Sequence, residues 1–217
     1  MATLLRTPRT VECTQVNAWG CATHWNIDGT REMTEGLDRN DQRATPRCAW
    51  AQVDDLLAQY HDEEWGHPPN SDNQYFEALS LEVFQAGLSW RTILHRRQGF
   101  RQAFAGFSIP VVANFTEHEV QQLLENQEII RHRQKIVATV HNARAFQAIQ
   151  QHCGSFRDWL RNMPSNEQLI YETLKPHLKF FGPTTCTSFL EAVGKIEPSH
   201  EPECWKQTGY QEARTST

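Results

Sequence analysis

One carboxylate is marked out by its company. In the stretch LEVFQAGLSWRTIL, residues 81–94, Glu82 is the single acid among mostly apolar neighbours. Leu79, Val83 and Ala86 recur at the spacing of one helix face, and Glu82 shares or borders that face. An ionised carboxylate there is unfavourable unless it is paired or hydrogen-bonded. The plainer reading is a boundary glutamate that swings to water or meets an arginine. The aromatic residues support another. Trp90 follows a turn at Gly87, and Trp50, Tyr60 and Trp65 crowd an earlier segment. An acid ringed by aromatic faces suits a flat, electron-poor ligand, because the rings attract a cation and the carboxylate accepts from an exocyclic amine. A methylated purine is planar, positively charged and carries such an amine.

A second group of residues suits a metal. Cys48 and His61 lie early, in RCAW and QYHDEEWG; His200 and Cys204 lie late, in SHEPECWK, at i, i+4 spacing. Two thiolates and two imidazoles make a closed tetrahedral zinc site of structural type, with no position left for a catalytic water. Such a site would pin the two ends of a domain together. Core cysteines and surface histidines without a metal are the alternative at this stage.

A third stretch, LKFFGPTTCTSFLEAVG at 178–194, has the pattern of two helices joined by a tight turn. Gly182 is expected to permit the turn, and Pro183 and Thr184 suit the first positions of the second helix, where free amides can hold a phosphate. Leu178, Phe180 and Phe181 are expected to anchor it to the core. A plain turn between helices is the other reading.

The elements that must position these residues are helical. Ser71-Asp-Asn-Gln74 and Thr116-Glu-His-Glu119 have the form of capping boxes, and Ser165-Asn-Glu-Gln168 marks a further start. Phe76, Leu79, Val83 and Ala86 predict a helix stopped by Gly87, whose freedom at positive φ suits a helix end. Ser89 is expected to cap a helix running to about Gln98, before Gly99. Ile136, Val140, Ala143 and Phe146 predict a long helix from about Gln134 to Gly154. Few segments alternate with period two, so the fold class is all-α. Residues 1–45, polar and without sustained periodicity, are expected to form a disordered extension. Cys13, Cys21 and His24 within it make only a weak metal motif. The folded domain is expected over 46–206, with a flexible tail over 207–217.

The chain has 217 residues and a net charge of −5. That is not the overall basic balance often found in nucleic-acid binders. Two basic clusters exist, Arg91, Arg96, Arg97 and Arg101, then Arg131, Arg133 and Lys135, which by themselves read as solvated helix faces. No apolar run is long enough to cross a membrane, and no signal peptide is expected at the start. Six scattered cysteines do not form the dense framework of a small secreted domain and fit a reducing compartment. A monomer is the default expectation.

The motifs RCAW (47–50), YHDEEWG (60–66), LEVFQAGLSW (81–90), IIRHRQKI (129–136), NARAF (142–146), FFGPTT (180–185) and the final His200-x-x-x-Cys204 resemble the bacterial 3-methyladenine DNA glycosylase I family, of the helix-hairpin-helix superfamily. The resemblance spans residues 47–205. It implies an all-α helix-hairpin-helix fold and excision of 3-methyladenine from alkylated double-stranded DNA without strand cleavage, in a bacterial cytoplasm. It implies Glu82 as the acid that recognises the base and serves catalysis, Trp50, Tyr60 and Trp90 as base-binding aromatics, and Cys48, His61, His200 and Cys204 as structural zinc ligands. Gly87 and Leu88 match the loop that plugs the gap left by the extruded nucleotide; Lys179, Gly182, Thr184 and Thr185 match the part that grips phosphate. Leu57 stands where many members have a second tyrosine, Glu128 and Gln134 replace usual glycines, and Glu-Pro-Ser precedes the last ligands. Two other classes of function are a lesion-binding module without catalysis, which Leu57 favours, and a metallohydrolase, which needs an open metal position.

Overall fold

The computed structural model of the chain describes residues 46–207. The expected extension over 1–45, with Cys13, Cys21 and His24, and residues 208–217 of the expected tail lie outside them. The described residues contain helices and turns but no strand. In chain order the helices are α1 (Asp55–Gln59), α2 (Asp72–Gln85), α3 (Trp90–His95), α4 (Arg97–Ala103), α5 (Ile109–Ala113), α6 (Glu117–Glu125), α7 (Arg133–Cys153), α8 (Phe156–Asn162), α9 (Glu167–Leu174) and α10 (Pro183–Ala192). A short 3-10 turn, Ala49–Gln52, precedes α1, and a π turn, Tyr60–Glu64, follows it. Among the described residues no helix is long and apolar enough to cross a membrane.

Helices α2 and α7 form the centre. From Leu79 to Phe84 every side chain of α2 is buried, the mark of a helix surrounded by protein. Phe76 meets Phe146 of α7, and Phe146 stacks on Phe156 with ring centroids 3.8 Å apart. The Ser71 box starts α2 as expected: Ser71 Oγ accepts from the Gln74 amide, and Gln74 Oε1 accepts from the Ser71 amide at 3.1 Å. Asp72 then accepts from the Phe156 and Arg157 amides, each at 2.9 Å, and locks the start of α2 to the α7–α8 corner. The Thr116 box and the long helix ending at Gly154 are also present.

Three expectations are corrected. The helix capped by Ser89 stops at His95, not near Gln98; Arg96 breaks the path and Gly99 lies inside α4. The role of Gly99 is close approach, since a Cβ there would stand 2.7 Å from both the carbonyl oxygen and Cβ of Glu128. Helix α9 is capped by Asn166, one residue after Ser165, its side chain accepting from the Leu169 amide at 2.9 Å. The stretch 178–194 holds only one helix, α10; its partner across the turn is α9.

Gly99→Ala separates these roles. Alanine in a helix interior gains about 1 kcal/mol over glycine, whereas overlap with packed backbone costs about 1–3 kcal/mol. A net loss of stability is expected in urea unfolding; a gain would show that Glu128 yields freely.

Candidate functional site

Glu82 sits on α2 with 7% of its surface exposed. Its helix neighbour Glu77 is buried too, but takes Arg97 Nε at 2.7 Å and Arg101 Nε at 2.8 Å. Among the described residues no hydrogen bond or ion pair is made by the Glu82 carboxyl. Burial, reinforced by the nearby charge of Glu191, pushes its carboxyl up to about 8. This is the costly placement that the pattern of apolar residues raised, left without a protein partner.

The carboxyl opens on a cavity of about 190 Å³. Pockets for drug-sized ligands measure about 300–1,000 Å³, so the chamber suits one base rather than a nucleotide. Trp50, Tyr60, Trp65 and Trp90 line it on the aromatic side, and Gln85, Ser188 and Glu191 on the polar side. The Tyr60 and Trp90 rings lie 5.2 Å apart at 57°, and Trp50 meets Trp65 edge-on at 5.3 Å. Burial, and then the Glu82 charge, hold the Tyr60 hydroxyl well above the ordinary tyrosine range.

Local structure explains the convergence. In the π turn Trp65 donates back to the Tyr60 carbonyl at 2.8 Å, five residues earlier. This wider turn directs Tyr60 to the chamber while its neighbour His61 faces the metal ligands; such turns recur at functional sites. Asp54 caps α1 and also accepts from Arg91 Nε and His95 Nε2, both at 2.8 Å, which fixes α3 and its Trp90. Those bonds, His95 first, hold the Asp54 carboxyl well below the usual range. Leu57 is buried in the aromatic cluster with Tyr60 and Leu94, behind the chamber rather than on its lining.

The four sulfur and nitrogen ligands also meet. Their donor atoms all lie within 4.8 Å of one another. Cys204 Sγ is 3.3 Å from His61 Nε2 and 3.5 Å from His200 Nδ1, and Cys48 Sγ is 3.6 Å from His200 Nδ1. A tetrahedral zinc with ordinary bond lengths separates S and N ligands by ~3.6 Å. His61 turns its other nitrogen to Asp62, donating to Oδ1 at 2.9 Å, and Arg47 and Trp205 hold that carboxylate. Burial pushes the Cys48 thiol up to about 11, and burial with His61 nearby takes His200 down to about 4. Two cysteine sulfurs, which would lose their protons on binding, and two neutral imidazoles are a donor set that suits a borderline-soft dication. The cluster can hold a metal ion, and the Trp205 amide bonded to the Pro46 carbonyl at 2.8 Å closes the two ends beside it.

The remaining expected residues lie apart from the chamber. Gly87, at φ +82°, and Leu88, 37% exposed, form the loop after α2. Lys179, Gly182, Thr184 and Thr185 lie at the entry to α10. Gly182 has φ −90°, so the turn does not require glycine; the residue at positive φ is Phe180, which is 41% exposed and does not anchor the core as expected. A Cβ at Gly182 would meet nothing within 4 Å, leaving that helix end open.

Both loops are held by α7. Lys135, expected in a solvated basic face, is buried, its ammonium donating to the Phe84 carbonyl at 2.9 Å and the Ala86 carbonyl at 2.6 Å. It caps the end of α2. Asn142 donates to the Lys179 carbonyl at 3.1 Å and accepts from its amide at 2.8 Å. Seven residues apart, these two share a face of α7, about 10 Å apart along its axis. Neither role was legible; the hint was a lysine and an asparagine at heptad spacing within a buried pattern. The other basic cluster is committed to Asp54, Glu64, Glu77 and the Gln127 carbonyl.

With this geometry in place, comparison with known proteins is decisive. The methyladenine glycosylase family model matches residues 50–177. The chain belongs to this family. The Haemophilus influenzae DNA-3-methyladenine glycosylase is 34% identical over 182 residues, covering 74% of this chain and 97% of that protein. A crystal structure of 3-methyladenine DNA glycosylase I superposes with a TM-score of 0.67 at 36% identity, covering 75% of this chain and 100% of the other. A variant of 3-methyladenine DNA glycosylase I in complex with 3-methyladenine superposes at 0.64 with 31% identity, covering 73% and 95%. The all-helical fold thus matches that of the methyladenine glycosylases.

A carboxyl that ionises near pH 4.5 when unfolded and near 8 when folded opposes folding increasingly across that interval. Glu82→Gln is therefore expected to be more stable than the parent by a few kcal/mol at pH 8 and above, with the gain fading toward pH 4. Equal stability across that range in denaturant unfolding would show that Glu82 is solvated.

Proposed function

We infer that this chain is a DNA glycosylase that hydrolyses the N-glycosidic bond of 3-methyladenine in alkylated DNA. The observation that carries this is the partnerless buried Glu82 in a base-sized chamber walled by tryptophan and tyrosine. The named relatives and the family match support it.

The chemistry follows from the substrate's charge. A base methylated at N3 is already cationic in DNA and leaves readily, so little acid catalysis is needed. The enzyme must extrude the nucleotide from the duplex and accept the base in the chamber. The aromatic faces favour the cation, and the ionised Glu82 accepts from the exocyclic amine and stabilises positive charge developing on the sugar. Water then attacks the anomeric carbon. A polar site discriminates better than one that only fills space. Leu88, exposed at the tip of the Gly87 loop, is suited to fill the gap in the stack. The free amides that start α10 suit a backbone phosphate. Lys135 is committed to two carbonyls and no lysine lines the chamber, so a covalent intermediate and strand cleavage are not expected.

For the Cys48, His61, His200 and Cys204 cluster the fitting ion is zinc, with a structural role. Zinc would supply cross-linking of the chain's two ends and hold His61, and with it the π turn that carries Tyr60. The reading further takes a monomer working on double-stranded DNA in a bacterial cytoplasm.

Incubation with alkylated duplex DNA, followed by chromatography of released bases, is expected to yield free 3-methyladenine and no strand breaks before alkali. Glu82→Gln should fold and lose at least about 100-fold of that activity, a loss of the size seen for removal of a key electrostatic group. Near-normal release by that variant would remove Glu82 from the reaction. Binding of the DNA by the parent chain with no base released would point instead to a lesion-binding module. A strong chelator is expected to remove stoichiometric zinc and lower the unfolding midpoint; activity lost without any loss of stability would point to a catalytic metal.

A further inference from the structure

We propose that Glu191 is a second acidic wall of the base chamber and sets its preference for cationic over neutral purines; the proposal rests on the chamber being a base site. Glu191 lies on α10 and lines the same cavity as Glu82. Its Oε1 accepts from Ser199 Oγ at 2.6 Å and from the Ser199 amide at 3.1 Å, so its direction is fixed from the loop that leads into His200. Ser188, one turn earlier on α10, shares the lining.

The surroundings leave this charge uncompensated. The chamber is faced by Trp50, by Tyr60 from the π turn, by Trp90 from α3 and by Glu82 and Gln85 from α2, with no lysine or arginine among its lining residues. Among the charged groups further out, Glu64 and Glu77 both pair with Arg97. Lys195, close in sequence, donates to the Arg161 and Met163 carbonyls. A cation entering therefore meets two carboxylates, whereas a neutral purine of the same shape gains only stacking and hydrogen bonds. Glu191 also opposes ionisation of Glu82. Near neutral pH burial keeps Glu82 largely protonated in the empty chamber, and it gives up its proton as the cation binds.

The variant Glu191→Gln isolates the charge, because the amide oxygen still accepts from Ser199. The probes are 3,9-dimethyladeninium, a permanent cation with no sugar to lose, and the neutral 3-deaza isostere carrying the same methyl groups. Calorimetric titration gives both dissociation constants from pH 6 to 9. At pH 9, where Glu82 is ionised in both proteins, the variant is expected to bind the cation about tenfold more weakly, as for loss of one charge a few ångströms away. The neutral isostere should change by less than twofold. Toward pH 6 the difference on the cation should narrow, because both proteins must then expel a proton from Glu82, and Glu191, adding to the effect of burial, makes that proton harder for the parent to lose. The narrowing is therefore the smaller, Glu191-dependent part of that cost. Glu191→Asp should recover most of the preference. Equal weakening for both probes would show a structural role, and no change for either would remove Glu191 from recognition. If the parent prefers the cation but releases no base from alkylated DNA, the glycosylase reading fails and this one stands.

Discussion

Everything near the chamber follows from keeping one carboxyl largely buried and without a side-chain partner. Burial without a partner is unfavourable, and the arginines that pair with α2 do not relieve it. They pair with Glu77, five residues earlier on the same helix. The contrast between the two acids defines the site. Glu77 is satisfied and structural, while Glu82 is left to be satisfied by something that enters. Such a group raises stability only when its ligand is present, and the rest of the fold must hold the chamber open in the meantime.

The holding is done by aromatic rings packed against the Cys and His cluster. Trp65 packs edge-on to His200 at 4.7 Å, and Trp50 meets His61 at 5.4 Å. Two walls of the chamber therefore rest directly on the residues of the Cys and His cluster. Glu191 reaches the same cluster through Ser199, which precedes His200. The cluster takes no part in the chemistry argued above, yet it sets the positions of three lining residues. With a metal ion bound, a closed ligand set of this kind would supply stiffness where loops meet, with no coordination position left for water.

Much of this was legible in order along the chain. The all-α class and the starts of α2 and α6 came from capping boxes whose hydrogen bonds are local, and local bonds are what a sequence displays. The placement of Glu82 on a buried face came from helical spacing. The failures share a cause in distant contacts. Gly99 reads as a helix stop until Glu128 is seen lying against it. Lys135 reads as a solvated cation until the end of α2 is placed beside it. Phe180 rather than Gly182 takes the positive φ of the turn, because a turn's φ values depend on how both flanking helices dock. The π turn at Tyr60 has no local signature at all. It is stabilised by where its side chains must go, one toward the chamber and the next toward the cysteines.

The long helix α7 turns these separate pieces into one device. Its Lys135 terminates α2 at the loop carrying Leu88, and its Asn142 grips the main chain of Lys179 just before α10. A rigid helix therefore fixes the distance between the loop suited to enter the base stack and the amides suited to hold a phosphate. The chamber lies on the same two helices, Glu82 on α2 and Glu191 on α10. On the proposed reading, base, gap and backbone would meet a single frame whose spacing is set by the hydrogen bonds of Lys135 and Asn142. Extruding a nucleotide costs a few kcal/mol, and a frame of this kind recovers that energy only if all three contacts form together. Selection by charge inside the chamber then needs to add only the last margin, between a base that leaves by itself and one that does not.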